Sequence, residues 1–173
     1  MRVVAGAFKG RPLQAPRGTR TRPTADRVRE ALFSILGDVS GARVLDLYAG
    51  SGALGIEALS RGAASAEFVD KDPRAVAAIR RNLEAVGADG RVRRRDAIGF
   101  LAAAEGRYDL VLIDPPYDSA ERIAGPLAER LPAVLVQGAR VVTESDKRRP
   151  LELPLPLLRE RIYGDTRIAV HGS

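Results

Sequence analysis

Cysteine is absent from the 173 residues. That excludes disulfides and thiolate metal sites. It also excludes chemistry that needs a thiolate nucleophile, such as the covalent attack behind carbon-5 methylation of cytosine. Histidine is almost absent: His171 stands alone near the C-terminus. One imidazole argues against a Ser-His-Asp triad and against a His-rich metal centre, so no metal is expected and His171 reads as structural or solvated. Long apolar runs are missing as well. No stretch is long enough to span a bilayer. Residues 1–10, with Arg2 and Lys9 flanking a few apolar residues, lack the apolar core of a signal peptide. The expectation is a soluble cytoplasmic protein with no membrane partner. Lysine is scarce, being confined to Lys9, Lys71 and Lys147, and arginine carries most of a net charge of +6. Such a balance suits a polyanion such as nucleic acid. An arginine-rich proteome would give the same balance, so charge alone does not decide.

What is present is enough for a core. Hydrophobic residues make up 45% of the chain, and this length fits one compact domain, expected as a monomer. Residues 2–16 read as two short extended pieces broken at Gly10, as in a hairpin. A helix is predicted from Thr24, with Val28, Leu32, Ile35 and Leu36 at helical spacing and Gly37 ending it. Strict alternation follows. Strands are predicted at 43–47, 66–70, 91–95, 108–113 and 139–143, the charged third one nearer a sheet edge. Helices are predicted at 52–61, 73–86, 97–104 and 120–131. Asp72 and Pro73 suit the start of the second of these and Gly87 its stop. Alternation of this kind specifies a mostly parallel sheet covered on both faces. The tail differs: 159–163 and 166–171 read as an antiparallel hairpin turning at Gly164-Asp165, which brings the sheet to seven strands. The chain divides into an N-terminal basic arm, residues 1–20, and an α/β domain, residues 21–173.

Four motifs carry chemistry. Asp46-Leu-Tyr-Ala49-Gly50-Ser51-Gly52 follows a strand and opens a helix, as a nucleotide-type glycine fingerprint requires. A carboxylate just before the glycines would repel a pyrophosphate seated there. It suits a cationic ligand, and S-adenosylmethionine carries an ammonium and a sulfonium and no phosphate. Asp70, with Lys71 beside it, ends the second strand where a carboxylate can accept from ribose hydroxyls; Asp72 reads as a helix cap. Asp96, followed by Ala97, can accept from an adenine amine and is also a natural cap. Asp114-Pro115-Pro116-Tyr117 follows a buried strand. The prolines hold the chain extended. Asp114 and the Pro115 carbonyl can both accept from one –NH₂ group, and the Tyr117 ring can stack on a base. An exocyclic amine has its lone pair delocalised into the ring. Two acceptors that fix both N–H bonds turn that lone pair toward a methyl donor.

Together these motifs resemble the Rossmann-like amino-methyltransferases of nucleic acids. The segment Arg22-Pro-Thr24-Ala-Asp26-Arg27-Val-Arg29-Glu30-Ala-Leu-Phe-Ser-Ile-Leu then resembles the signature of the RsmD family, which methylates N2 of a guanine in small-subunit (16S) ribosomal RNA. Residues 2–6 with 9–11, residues 54–63, 68–72 and 163–166 also match it, so the resemblance covers nearly the whole chain. It implies a class I methyltransferase fold, S-adenosyl-L-methionine as cofactor, and 16S rRNA as partner, within a small subunit or an assembly intermediate. It implies cofactor contacts at Asp46, Ala49, Gly50, Ser51, Gly52, Asp70, Lys71, Asp96 and Ala97, and catalytic contacts at Asp114, Pro115, Pro116 and Tyr117. The substrate RNA would meet Arg2, Lys9, Arg11, Arg17, Arg20, Arg22, Thr24 and Arg27. Asp70 stands where members of that family often have Glu.

Three rivals compete. Asp-Pro-Pro-Tyr also serves adenine-N6 and cytosine-N4 methylation of DNA or RNA, but this chain is too short for a separate DNA target-recognition domain. A nicotinamide-dependent dehydrogenase is opposed by Asp46 and by the lack of an acid–base pair at a hydride site. An RNA-binding pseudo-enzyme is opposed by the completeness of the motifs.

Overall fold

The structure, a computed structural model, describes residues 1–16, 26–116 and 118–173. Its elements are α1 (Asp26–Leu36), β1 (Arg43–Leu47), α2 (Ala53–Ser60), β2 (Ser65–Asp70), α3 (Pro73–Val86), β3 (Arg91–Arg94), α4 (Ala97–Leu101), β4 (Tyr108–Ile113), α5 (Ala120–Arg130), β5 (Leu135–Asp146), β6 (Leu157–Tyr163) and β7 (Thr166–Gly172). The strands form one sheet in the order β3-β2-β1-β4-β5-β7-β6. β1 to β5 run parallel, and β7 is antiparallel to both β5 and β6. This is the seven-stranded arrangement that the sequence pattern predicts, with the charged β3 at one edge and the hairpin at the other.

Periodicity explains the layers. Alternate residues of a strand point to opposite faces. In β4, Leu110 and Leu112 join a core under α1, α2 and α3, while Val111 and Ile113 join a second core under α4 and α5. A strand buried on both faces has to be apolar throughout, which is why 108–113 reads so plainly. Asp72 accepts from the Arg74 N–H at 2.8 Å, capping α3 as expected.

Most boundaries fall within two residues of the sequence expectation, and three differences have a structural reason or a larger extent. The helix expected over 97–104 ends at Leu101. The helix expected to reach 131 gives way at Leu131–Val134 to a 3-10 turn containing Pro132. β5 is far longer than 139–143, because β7 pairs with it from Arg140↔Gly172 to Asp146↔Thr166. That pairing holds the polar run Thr143-Glu144-Ser145 in the sheet, where all three residues are buried. Thr24, the expected helix start, lies outside the described residues, and α1 is described from Asp26.

The two pieces of the expected N-terminal hairpin meet in one antiparallel bridge, Arg2↔Pro12, with the Val3 N–H donating to the Arg11 carbonyl, Gly10 to Val3 and Leu13 to Met1. The arm packs on the domain: Val3 and Leu13 are buried in the first core. His171 is buried in β7, and burial pushes its imidazole pKa below the ordinary value, as suits a structural residue. Among the described residues no helix is long and apolar enough to cross a membrane.

Candidate active site

The chemistry-bearing residues gather where β1, β2 and β4 end. Asp46, in β1, is 1% exposed, and its Oδ2 accepts from the Gly55 N–H of α2 at 2.9 Å. That contact brings α2 so close that a Cβ on Gly55 would lie 2.3 Å from the Phe68 ring and 3.0 Å from Asp46 Oδ2. α2 therefore starts deep against the sheet. Gly52, at its N-terminus, takes φ +77°, the left-handed conformation that glycine accepts without strain.

The loop between is tied to β2 by Asp70. Its Oδ2 accepts from the Gly50 N–H and its Oδ1 from the Asp72 N–H, each at 2.9 Å. Ala49 donates its N–H to the Val69 carbonyl, and the Ala49 carbonyl accepts from Gly52. Ser51 is half-buried and its carbonyl accepts from Asn82 at 2.8 Å. Lys71 is exposed. Asp96 caps α4, accepting from Gly99 N–H at 3.1 Å, and leaves its carboxylate exposed; Ala97 is buried in the second core. Across the site, Asp114 follows β4 half-buried and Pro115 is buried. The Pro116 carbonyl accepts from both the N–H and the hydroxyl of Ser119, at 2.9 and 2.6 Å, which fixes the turn after the prolines. Tyr117 lies outside the described residues.

Electrostatics link these carboxylates. Burial raises the pKa of Asp46 well above the carboxylate range; the Gly55 hydrogen bond opposes this, and the charges of Asp114 and Asp70 add to the rise. A buried carboxylate that feels two more acids beside a glycine loop makes a site suited to a cation. A set of carboxylate acceptors beside a glycine loop has the chemistry that S-adenosylmethionine, with its ammonium, sulfonium and ribose hydroxyls, would need.

The residues expected to meet RNA are more dispersed. Lys9, Arg11 and Arg27 are exposed, and Arg11 lies 5.9 Å from the Phe8 ring centroid. Arg2 is exposed and pairs with Asp26 at 3.6 Å. Arg17, Arg20, Arg22 and Thr24 lie outside the described residues.

The structure also shows residues that the motif reading passes over. Tyr48, between Asp46 and the glycines, is a non-glycine residue at φ +59°. Such strain is held only where the surroundings over-determine it. Burial, with the nearby Asp96 charge, pushes its phenol up to about 12. Asn82 is 1% exposed on α3; it clasps Gln14 through both backbone groups, each at 2.9 Å, and reaches the Ser51 carbonyl. Fully buried Glu57 on α2 accepts from the N–H groups of Val4 and Ala5, at 2.7 and 3.0 Å, and pairs with Arg61 and Arg29. A signal for both exists in the sequence: each is a polar residue set in an apolar helical stripe.

A family model described as conserved hypothetical protein 95 matches residues 1–172. The chain is 40% identical over 182 residues to "Putative rRNA methyltransferase YlbH" of Bacillus subtilis (strain 168), spanning 99% of this chain and 98% of that protein. It is 32% identical to ribosomal RNA small subunit methyltransferase D of Haemophilus influenzae, across 95% of this chain and 89% of the relative. Among solved structures, a hypothetical protein of Thermus thermophilus superposes with a TM-score of 0.85 at 31% identity, covering 100% of this chain and 99% of that one.

Proposed function

The chain belongs to the family described as conserved hypothetical protein 95, that of the RsmD methyltransferases, and we propose that it transfers a methyl group from S-adenosyl-L-methionine to the exocyclic N2 amine of a guanine in 16S ribosomal RNA. The observation that carries this reading is the convergence of Asp46, Asp70 and Asp114, three carboxylates from three neighbouring strand ends, the last two close enough for Asp46 to feel their charge. The first two flank the glycine loop and suit the cofactor. The third opens Asp-Pro-Pro-Tyr and suits the amine.

The mechanism is alignment and charge. The bound cofactor supplies an electrophilic methyl on a sulfonium. Asp114 and the Pro115 carbonyl accept the two N–H bonds of the amine, so its lone pair points out of the base plane. Positive charge grows on nitrogen as the N–C bond forms and the methyl–sulfur bond breaks, its electron pair staying with sulfur. Asp114 stabilises that charge, an interaction stronger in the transition state than in the ground state. The proton then leaves the alkylated amine through the same hydrogen bond or to water. Tyr117 stacks on the extruded base. The first twenty residues and Arg22, Thr24 and Arg27 hold RNA phosphates. The substrate is rRNA within a small subunit or its assembly intermediate, met in the cytoplasm by a monomer.

Single-turnover methylation of small-subunit particles at saturating cofactor tests the assignment. Asp114→Ala should lose roughly 10²–10³-fold in rate, the scale for one deleted preorganised partner, with cofactor affinity barely changed. Tyr117→Ala should weaken base positioning, at about 1–3 kcal/mol for a stacking platform, and Tyr117→Phe should be mild. A folded, cofactor-binding Asp114→Ala protein that methylates at the parent rate would overturn the mechanism.

A further inference from the structure

We infer that the α3–β3 edge of the sheet is a second RNA-phosphate interface, distinct from the N-terminal arm and not anticipated by any motif. The inference rests on the rRNA reading above and gives that substrate a path across the molecule.

Residues 71–95 hold eight Lys or Arg against three Asp or Glu, in a chain whose whole net charge is +6. All eight basic residues are exposed. Two of them are already matched: Arg74 pairs with Asp72 at 2.9 Å and Arg93 with Glu67 at 2.7 Å. Arg80, Arg81, Arg91, Arg94 and Arg95 form no ion pair or side-chain hydrogen bond among the described residues. Like charges crowded on one edge repel one another, and a polyanion relieves that repulsion by displacing counterions.

Topology decides where these charges point. Among the described residues β3 pairs only with β2, which leaves its outer edge open there. Val92 packs against the first core, which puts Arg94 on the same face as α3. Arg91, Arg93 and Arg95 alternate to the other face. Arg80 of α3 lines a shallow cleft beside the strand with Glu84, Asp89, Gly90 and Val92, so the net positive charge of the edge lies with the arginines around it. Guanidinium groups therefore fan from both faces of one exposed strand. The edge also meets the two places where RNA is needed. At its carboxyl end Arg95 donates its N–H to the Asp70 carbonyl, and Asp96 follows in the cofactor site. At its other end Gly87, which closes α3, lies beside the Arg11 guanidinium of the arm, which approaches within 3.9 Å of a Cβ placed there. Arm and edge thus join into one basic track that runs from the arm, near the amino end of β3, to the carboxyl end beside Asp70 and Asp96. Bidentate, planar arginine is the side chain suited to phosphate.

The test uses the full-length protein saturated with S-adenosylhomocysteine and a transcript of small-subunit rRNA. The variant R80Q/R91Q/R94Q removes three unpaired charges from the edge. R107Q/R148Q/R161Q removes three exposed arginines elsewhere. Binding measured by anisotropy across a salt series gives the slope of log affinity against log salt. Each lost phosphate contact flattens it by about 0.7–0.9, so the edge variant should be shallower by about 2 and the control unchanged. R80K/R91K/R94K should restore most of the slope, since phosphate neutralisation needs charge and not the fork. Equal slopes for edge variant and wild type would overturn the inference. A defect on whole particles with none on naked rRNA would assign the edge to an acidic protein and overturn it equally. Wild-type protein that neither binds nor methylates rRNA would instead defeat the underlying functional reading.

Discussion

At the residue scale the most informative group is Asp46. Its carboxylate is buried, and burial, with Asp70 and Asp114 nearby, raises its pKa. A carboxyl whose folded pKa lies above its unfolded value costs stability when it ionises. That cost grows as pH rises from the ordinary carboxylate range through the raised pKa, and is absent in acid. Asp46→Asn should therefore stabilise the ligand-free protein at neutral pH and leave its stability near pH 3 little changed, as urea titrations at both values would show. The same substitution should weaken the cofactor. A cationic ligand lowers the Asp46 pKa, so its binding expels a proton and tightens as pH rises between the bound and free values. Calorimetry in buffers of different ionisation enthalpy should find this proton release in wild type and lose it in Asp46→Asn. Equal proton release in the two proteins would exclude Asp46 from cation binding. The place of this residue beside the glycine loop was legible in the sequence, because an acid that ends an apolar strand just before the glycines must sit against them. The strain at Tyr48 was not, since nothing in its neighbours signals a positive φ.

At the element scale the helices, the parallel strands and the tail hairpin were readable wherever periodicity reported burial, as in β4 and α3. The docking of the arm was not, because it comes from side chains far away in sequence. Glu57 satisfies the Val4 and Ala5 N–H groups, Ser60 those of Phe8 and Ala7, and Asn82 clasps Gln14. The arm is therefore a lid on α2 and α3 more than a free tail. Deleting residues 1–20 would take Val3 and Leu13 from the core and leave Glu57 without two of its partners. Point substitution is the cleaner probe. Asn82→Ala should cost about 2 kcal/mol, in line with about 1–3 kcal/mol for each buried polar group left unpaired. It should also lower cofactor affinity, because the Ser51 carbonyl loses its anchor. Glu57→Ala should cost about 2–6 kcal/mol, because the Val4 and Ala5 N–H groups lose their acceptor at about 1–3 kcal/mol each while Arg29 keeps its ion pair with Asp26, with little change in cofactor affinity per folded molecule. Matched losses of cofactor affinity in the two variants would mean that Asn82 has no specific link to the glycine loop.

At the scale of the whole molecule, the fold sets which atoms of a nucleotide can be reached. The glycine loop and Asp114 lie at one end of a sheet covered by helices on both faces, so a base paired inside a helix cannot approach with its amine foremost. It must be extruded, or presented by an unpaired stretch. The molecule carries no separate recognition domain among its described residues; selection then falls on the basic surfaces that hold the flanking backbone and on the few groups that meet the base. Such a protein should modify very few positions. Mapping N2-methylguanine in ribosomal RNA from a deletion strain should show one site lost from the small-subunit RNA. Wild-type protein should restore it, and Asp114→Ala protein, expressed to the same level, should not. Loss of an N6-methyladenine in place of N2-methylguanine would leave the amine mechanism standing and remove the guanine assignment. Restoration by Asp114→Ala would remove the mechanism and leave the guanine assignment standing, because the product would still be N2-methylguanine while the charge proposed to stabilise the alkylated nitrogen was gone.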